Sequence, residues 1–482
     1  MIAPIRAETA APRKGDAPLT RTAAVRYALV MQRQQPQFAR TIRVRNENRV
    51  GVLATVLGLL ARHGADIGDI RIVSAGRVHM VRDIDIVLDS AEALPALLAD
   101  LAAFPATTVL EVRDEVLDAH AGGKLRTVAT RSITSLRDLS LVYTPGVGEV
   151  AQRIAADPAA AGRYTVLGNA VAVVSDGSAV LGLGNLGPVA AMPVMEGKCA
   201  LLAELVGVFA VPVLLGTQDD AQIIEAVAAI APTYGVIQLE DIAAPRCFAI
   251  EGQLAARLDR PVFHDDQHGT AAVTLAALTS AAALAGTALE QLRVGQIGLG
   301  AAGLAIARAV MHATGRSVLG ADIDPSALER LRQAGGVPST LEEIMATCDA
   351  VVATTGRPGL IRAEQVRPGQ IILALSNPRP EITPAEALAA GARIAESGAV
   401  INNLLCYPGL CRGMLDAAAC RATPDLFLAA SRALVAMTPP GQLLPAPLDR
   451  AVHRGVARAV ARAAMDTGIA RRELDRDYFE GD

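Results

Sequence analysis

Two pairs of acidic residues follow two short apolar segments of the chain. The pairs are Glu240–Asp241 and Asp265–Asp266. They come after Val236–Leu239 and shortly after Pro261–Phe263, where strands of an α/β sheet would bring them to one crevice. Mg²⁺ and Mn²⁺ prefer oxygen ligands and usually keep some positions for water or substrate. The spacing therefore predicts a site for a hard divalent cation.

Two histidines flank the second acidic pair and keep another metal open. His264 precedes the pair and His268 follows it. A zinc or iron site is the alternative, because those metals usually take imidazole as a principal ligand. The acids outnumber the histidines, which favours Mg²⁺ or Mn²⁺. Helix caps or solvated loop residues are a further alternative, which two such pairs at successive strand ends make weaker.

A glycine-rich turn lies further along the chain. It follows the apolar segment Gln291–Ile297, precedes the amphipathic segment Leu304–Ala313, and consists of Gly298, Leu299, Gly300, Ala301, Ala302 and Gly303. A strand before the turn and a helix after it are the context of a dinucleotide fingerprint. The glycines then allow a tight turn and let a pyrophosphate approach the helix N-terminus.

The next predicted strand, Ser317–Ala321, ends at Asp322. A carboxylate there would accept hydrogen bonds from the adenosine ribose, and it would repel a 2'-phosphate, so NAD is favoured over NADP. Asp324 takes this place if the strand ends later. The alternative is that Asp322 only caps the helix before Pro325.

Size and composition indicate a globular chain of several domains. The chain has 482 residues, of which 51% are hydrophobic and 20% charged, so two to four domains are expected. Aromatic residues make up 3%, tryptophan is absent and the net charge is -4. A surface for nucleic acid is therefore not expected.

The remaining composition indicates a soluble cytoplasmic protein that does not bind membranes. Six cysteines are scattered without a CxxC pair, as in reduced cytosolic proteins. Residues 1–37 contain no apolar h-region, so a signal peptide is not expected, and the sequence has no long uncharged apolar run. Four arginines recur every fourth position in the predicted helix Asp449–Ala464, and we interpret that cationic face as a solvated surface or an oligomer contact.

The predicted elements indicate an α/β protein with three structured domains. Residues 39–115 alternate in the order βαββαβ, which matches a ferredoxin-like fold and resembles an ACT domain. Residues 115–135 are polar and are interpreted as a linker. Strand and helix then alternate, and the second α/β unit carries the glycine turn on a Rossmann-type sheet.

Seven motifs together resemble the malic enzymes, in their short bacterial form with an N-terminal ACT domain. In chain order they are Asp138–Val147, Leu181–Gly187, Met195–Lys198, Leu239–Ile242, Phe263–Thr270, Ser376–Pro378 and Asn402–Gly409. The resemblance implies four segments, namely a tail at 1–38, the ACT domain at 39–115, a substrate and metal domain at 116–280, and an NAD-binding domain at 281–482. The C-terminal helices of the last segment are expected to return to the substrate domain.

The family resemblance implies oxidative decarboxylation of L-malate to pyruvate and CO₂ with NAD and Mg²⁺ or Mn²⁺. It makes Glu240, Asp241 and Asp266 the metal ligands and Asp265 their catalytic neighbour. Lys198, expected near a helix start, becomes the general base for the C2 hydroxyl, with a pKa lowered by burial or by the cation. Tyr143 becomes the acid that protonates C3. Asn377 and Asn403 would orient the substrate, and Asn377 also the nicotinamide.

Several alternatives stay open. Larger relatives carry an arginine shortly after the Asp176-Gly177 turn to bind a substrate carboxylate, and this chain has none there. The group that binds the second carboxylate is therefore unassigned. Malolactic decarboxylation to lactate is one rival function, and a non-catalytic ACT scaffold is another. A small-molecule effector at the ACT domain and a homodimer or higher oligomer are also expected.

Overall fold

A computed structural model describes residues 38–481, and it contains three separate β-sheets in that range. The predicted tail therefore lies outside the described residues, except for Phe38, which begins the first strand. No helix in residues 38–481 is both long and apolar enough to cross a membrane.

The N-terminal sheet is antiparallel and has the strand order β2-β3-β1-β4. Its elements and the short helix after it are β1 Phe38–Glu47, α1 Val52–Arg62, β2 Asp66–Ala75, β3 His79–Leu88, α2 Ala93–Ala103, β4 Thr107–Asp114 and α3 Glu115–His120. The apolar faces of α1 and α2 cover one side of the sheet in a core of their own. The predicted βαββαβ order is confirmed. The prediction of an irregular linker directly after it is wrong for Glu115–His120, which Asp114 caps by accepting hydrogen bonds from Val116 N and Leu117 N.

The second sheet is parallel, with the order β6-β5-β7-β8. Its elements and the helices around it are α4 Leu136–Val142, α5 Gly146–Ala156, α6 Ala161–Tyr164, β5 Ala170–Ser175, α7 Gly187–Val206, β6 Phe209–Leu214, α8 Asp220–Ile230, β7 Val236–Leu239, α9 Arg246–Arg257, β8 Val262–His264 and α10 Asp265–Leu284. Strands β5, β7 and β8 are fully buried and mainly apolar, with Ser175, Gln238 and His264 as their polar residues. All their carboxyl ends therefore lie at one edge of the sheet.

The third sheet is parallel, with the order β11-β10-β9-β12-β13-β14 that defines a Rossmann fold. Its elements are β9 Val294–Ile297, α11 Ala301–Thr314, β10 Leu319–Ala321, α12 Pro325–Gln333, β11 Val337–Pro338, α13 Leu341–Thr347, β12 Ala350–Ala353, β13 Ile371–Ala374, α14 Pro384–Ala389 and β14 Ile394–Ser397. The predicted α/β class with a Rossmann-type sheet is confirmed.

Four helices complete the chain, namely α15 Tyr407–Asp416, α16 Pro424–Met437, α17 Arg450–Asp466 and α18 Arg476–Glu480. Helices α15 and α17 contact α7 of the second sheet. Helix α17 carries the predicted cationic face, and three of its four arginines bind within the chain. Arg450 pairs with Glu204, Arg458 donates to the carbonyl of Gly481, and Arg462 lies 3.6 Å from the ring centroid of Phe479.

Candidate active site

Adjacent strands deliver the two acidic pairs to the same edge of the second sheet. Strand β7 ends at Leu239, directly before Glu240, and β8 ends at His264, directly before Asp265. Because β7 and β8 are parallel neighbours, the two pairs emerge side by side. Asp241 adopts a left-handed backbone with φ of 53°. Its N–H donates to Asp266 Oδ2 at 2.9 Å, which joins the two loops.

Three carboxylates form a group that fits a divalent cation. Glu240, Asp241 and Asp266 each place an oxygen within 4.8 Å of the others, the one such group of metal-ligand side chains in the described residues. The buried Oδ2 of Asp241 has no hydrogen-bond donor among the described residues. Burial, with repulsion from Asp266 and Glu240, raises the pKa of Asp241 to about 8. A cation would supply the missing partner and the missing positive charge.

Lys198 lies against this group. Its Nζ is 2.6 Å from Asp265 Oδ2 and 2.9 Å from Glu240 Oε1. The expectation of a helix start is wrong, because Lys198 lies well inside α7, which runs through Pro193 and Gly197. The expected direction of its pKa shift is also wrong for the chain alone. Burial lowers the pKa of Lys198, but Asp265 and Glu240 outweigh it and raise that pKa well above its ordinary value.

Asp265 faces the lysine from the first turn of α10. Its side chain is fully buried, and burial raises its pKa. Gly269, one turn later, leaves the room that Asp265 needs, since a Cβ there would collide with Asp265 Oδ1. Asn403 also lies beside Gly269. The Cβ of Asn403 is 3.5 Å from the position that a Cβ on Gly269 would occupy. The structure thus brings Lys198, Asp265 and Asn403 to the carboxylate group.

Neither histidine belongs to the three-carboxylate group. His264 is buried, and within residues 38–481 its ring nitrogens make no hydrogen bond, although Nδ1 lies 3.7 Å from Asp266 Oδ2. The Nε2 of His268 lies 2.7 Å from Glu251 Oε1. The ring of His268 stacks on Phe427, with ring centroids 4.4 Å apart. Glu251 also accepts from the backbone N–H of His264 at 3.0 Å. The histidines therefore support the loop, and the donor set favours Mg²⁺ or Mn²⁺ over zinc or iron.

No hydrogen bond connects Tyr143 to Lys198 within the described residues. Tyr143 follows α4 directly, and 66% of its surface is exposed. Within residues 38–481 its hydroxyl makes no hydrogen bond. Helices α4 and α5, on either side of it, contain no buried residue. Their exposed apolar side chains are Leu136, Leu139, Leu141, Val142 and Val147.

Sequence reasoning assigned no role to Tyr407, which is the tyrosine beside the lysine. Its ring is buried, and Lys198 Nζ lies 4.5 Å from the ring centroid. Its hydroxyl donates to the backbone carbonyl of Lys198 at 3.4 Å. Tyr407 therefore holds the ammonium group by a cation–π contact. The signal was available, because Tyr407 belongs to the motif that contains Asn403.

The glycine turn opens α11 at the end of β9. Gly298 has φ of 86°, and a Cβ on it would meet the backbone of Thr354. A Cβ on Gly303 would collide with the carbonyl of Gly298, so this residue allows close helix packing. Nothing lies within 4 Å of the Cβ position of Gly300. That space, beside the N-terminal residues Ala301 and Ala302 of α11, fits a pyrophosphate.

Asp322 lies beside the turn, at the end of β10. Its Oδ2 accepts from Leu299 N at 2.6 Å, and its Oδ1 accepts from Asp324 N at 2.9 Å. The helix cap is instead Asp324, which accepts from Ser326 N at 2.8 Å. Ile323 between them is 82% exposed. Asp322 thus has the position that a ribose-binding carboxylate needs.

Asn377 follows β13 on the opposite side of the crevice. Its backbone carbonyl lies 3.4 Å from the Cβ position of Gly182, in the loop after β5. Its side-chain amide lies next to Gly398. Asn377 therefore lies where the Rossmann sheet meets the loop after β5.

Two family models match the chain. The model described as "Malic enzyme, N-terminal domain" matches residues 122–223, and the model described as "ACT domain" matches residues 40–106. The first match contains Tyr143 and Lys198, and the second contains β2, β3 and most of β1 of the N-terminal sheet but ends before β4.

Relatives and solved structures match most of the chain. "NAD-dependent malic enzyme 1" of Bacillus subtilis is 49% identical over 86% of this chain and 94% of its own length. "NAD-dependent malic enzyme" of Geobacillus stearothermophilus is 38% identical over 90% of this chain and 96% of its own length. The crystal structure of malic enzyme from Pyrococcus horikoshii covers 76% of this chain and 94% of its own, with a TM-score of 0.72 and 38% identity.

Proposed function

The chain belongs to the malic enzyme family, and from that membership we propose that it oxidatively decarboxylates L-malate to pyruvate and CO₂ with NAD and a divalent metal. The observation that carries the proposal is the contact of Lys198 with Asp265 and Glu240 beside the three-carboxylate group. That contact supports a proton-transferring role for the amine beside the proposed metal position.

The metal position determines where malate would lie. Glu240, Asp241 and Asp266 would hold Mg²⁺ or Mn²⁺ and leave coordination positions for the C2 hydroxyl and the adjacent carboxylate of malate. When bound, NAD supplies the hydride acceptor, and the cation supplies a Lewis acid worth several kcal/mol of transition-state stabilisation. The chain itself positions the substrate and moves its protons.

Lys198 is the proposed base for the C2 hydroxyl. An ammonium group cannot accept a proton, so Lys198 must lose one before it acts. In the chain alone the carboxylates hold that proton, since they raise the pKa of Lys198. A cation bound to Glu240 would neutralise part of their charge and lower that pKa again. Asp265, hydrogen-bonded to Nζ, orients the amine.

Asp322 is the proposed basis for NAD as cofactor. Its carboxylate lies at the end of β10 and would accept from the ribose, while its charge would oppose a 2'-phosphate. Both relatives described above carry "NAD-dependent" in their names. Asn377 would meet the nicotinamide side of the crevice.

A second copy of the chain is the proposed neighbour of Tyr143. This tyrosine is exposed on a helical hairpin that has no buried residue and five exposed apolar side chains. A hairpin of that composition needs a partner surface. We therefore propose a homodimer or higher oligomer in which Tyr143 enters the partner's site and protonates C3. An effector bound at the ACT domain and a cytoplasmic location are proposals of the same kind.

One assay distinguishes this function from its rivals. Purified protein receives L-malate, Mn²⁺ and NAD, while absorbance at 340 nm and the products are followed. Pyruvate with an equal amount of free NADH is the expected result. Lactate without free NADH would support the malolactic rival, and no malate-dependent reaction would support the scaffold.

A further inference from the structure

A cavity of about 340 Å³ lies between α10, α11 and α16, behind the first turn of the metal-binding helix. Its walls are mainly alanine and leucine side chains of the three helices and the ring of Phe427. This volume is in the range of small-molecule pockets, roughly 300 to 1,000 Å³. The cavity is lined by residues other than the metal ligands and the glycine turn.

One cation at this cavity, Arg308, makes no direct ion pair with another of the described residues. Arg308 lines it from α11, and within residues 38–481 its guanidinium makes neither a hydrogen bond nor an ion pair. Glu251, the acid whose charge acts on Arg308, already accepts from His264, Gln267 and His268. Arg308 is exposed at the edge of the cavity, so its guanidinium can bind an anion that enters from solvent.

The remaining polar groups at the cavity are already paired. His312, at the rim, lies 3.2 Å from Asp425. His268 offers a ring face stacked on Phe427 and holds Glu251 through its Nε2. An unpaired guanidinium above apolar walls selects a ligand with one anionic end and an apolar body.

We propose that this cavity binds a small amphipathic monocarboxylate, with the carboxylate on Arg308 and the apolar body against Phe427. The ligand would touch Gln267 and His268, which directly follow the proposed metal ligand Asp266 on α10. Binding there therefore changes the affinity of the metal site, and the effect is reciprocal. The coupling between the cavity and the metal site rests on the proposed function, whereas binding of the carboxylate in the cavity does not.

The binding test uses 3-phenylpropanoate as the probe, with the neutral 3-phenylpropan-1-ol as its matched analogue. Titration calorimetry compares the intact protein with R308Q, the cavity-filling variant A309F, and R432Q as a control on the exposed side of α16. The expected result is that R308Q and the alcohol each weaken binding about 10-fold or more. A309F should abolish it, and R432Q should leave it unchanged.

Other results would overturn the assignment. Equal binding of the acid and the alcohol, or equal binding by R308Q, would remove the role of the guanidinium. Displacement of the probe by NADH would place it in the dinucleotide site instead. NADH binding by A309F serves as the check that this variant is folded. If folded A309F still binds the probe, the probe does not occupy the cavity.

The coupling has a separate readout. Free Mn²⁺ is measured by electron paramagnetic resonance during a titration, with and without the probe. The account predicts a change of about 5-fold or more in Mn²⁺ affinity in the intact protein and none in R308Q. An unchanged affinity with the probe bound would overturn the coupling. Failure to bind Mn²⁺ without any probe would instead overturn the proposed metal site.

Discussion

At the scale of single residues, the site is a balance between one cation and several buried acids. Lys198 alone faces Asp265, Glu240 and, more distantly, Asp266. Burying that many carboxylates with one ammonium is costly unless a further positive charge is bound. The types of these residues could be predicted from the sequence, because they follow apolar strands. The direction of the lysine pKa shift could not, because it depends on contacts that only the fold creates.

Replacing Lys198 with alanine tests its role as base. K198A should lower kcat by about 10²- to 10⁴-fold, the usual contribution of a general base. Mn²⁺ binding should persist, because the three carboxylates remain. Stopped-flow or steady-state NADH formation measures the effect, with R454A, an exposed arginine of α17, as control. Turnover near that of the intact protein at pH 7 would contradict the assignment.

Replacing Asp322 with asparagine tests the cofactor preference. D322N keeps an oxygen that accepts from Leu299 N but removes the negative charge. The ratio of kcat/KM for NADP to that for NAD should rise about 10-fold, because repulsion of the 2'-phosphate is lost. D324N, which alters the helix cap, is the matched control and should leave the ratio unchanged. An unchanged ratio in D322N would mean that another residue sets the preference.

At the scale of elements, sequence pattern predicted strands better than helices. The strand predicted at Val236–Leu239 has the bounds of β7, which is fully buried. The sequence predicts that a helix starts near Lys198, because Pro193 and Gly197 ordinarily interrupt helices. In the structure, α7 is continuous from Gly187 to Val206. Fully buried side chains on its apolar face, including Met195 and Leu202, keep it continuous. Tertiary packing therefore decided what local propensity could not.

Replacing Glu251 with glutamine tests how α10 is held. E251Q preserves the side-chain size but removes the negative charge that pairs with His268, and it leaves one acceptor oxygen where two now serve His264 N, His268 and Gln267. Mn²⁺ affinity should fall about 10- to 100-fold, as is usual when a residue that orients metal ligands is changed. Calorimetry measures it. E225Q, an exposed glutamate on α8, is the control, and an equal loss in both variants would indicate a general stability effect.

At the scale of the whole molecule, the fold places the proposed base and the proposed acid on different kinds of surface. Lys198 is buried in the crevice, whereas Tyr143 lies on an exposed apolar hairpin. The motif containing Tyr143 was readable in the sequence. The separation of Tyr143 from Lys198 could not be predicted, because the order of motifs along a chain does not show which surfaces of the folded chain stay exposed.

Mixing two inactive variants tests the shared site. Y143F and K198A should each be inactive alone, but unfolding and refolding them together would form mixed dimers. If Tyr143 acts in the partner's site, each mixed dimer contains one intact site, so about a quarter of full activity returns at equal mixing. If Tyr143 acts in its own chain, no activity returns. Light scattering on the same samples checks the oligomeric state.

The most direct test of the central claim is the stoichiometry of the reaction in the presence of Mn²⁺. The intact protein is incubated with L-malate and NAD, and NADH, CO₂ and the organic product are quantified together. The account predicts one NADH, one CO₂ and one pyruvate for each malate consumed, with loss of activity when the metal is chelated. Lactate without NADH, oxaloacetate without CO₂, or full activity after chelation would contradict it.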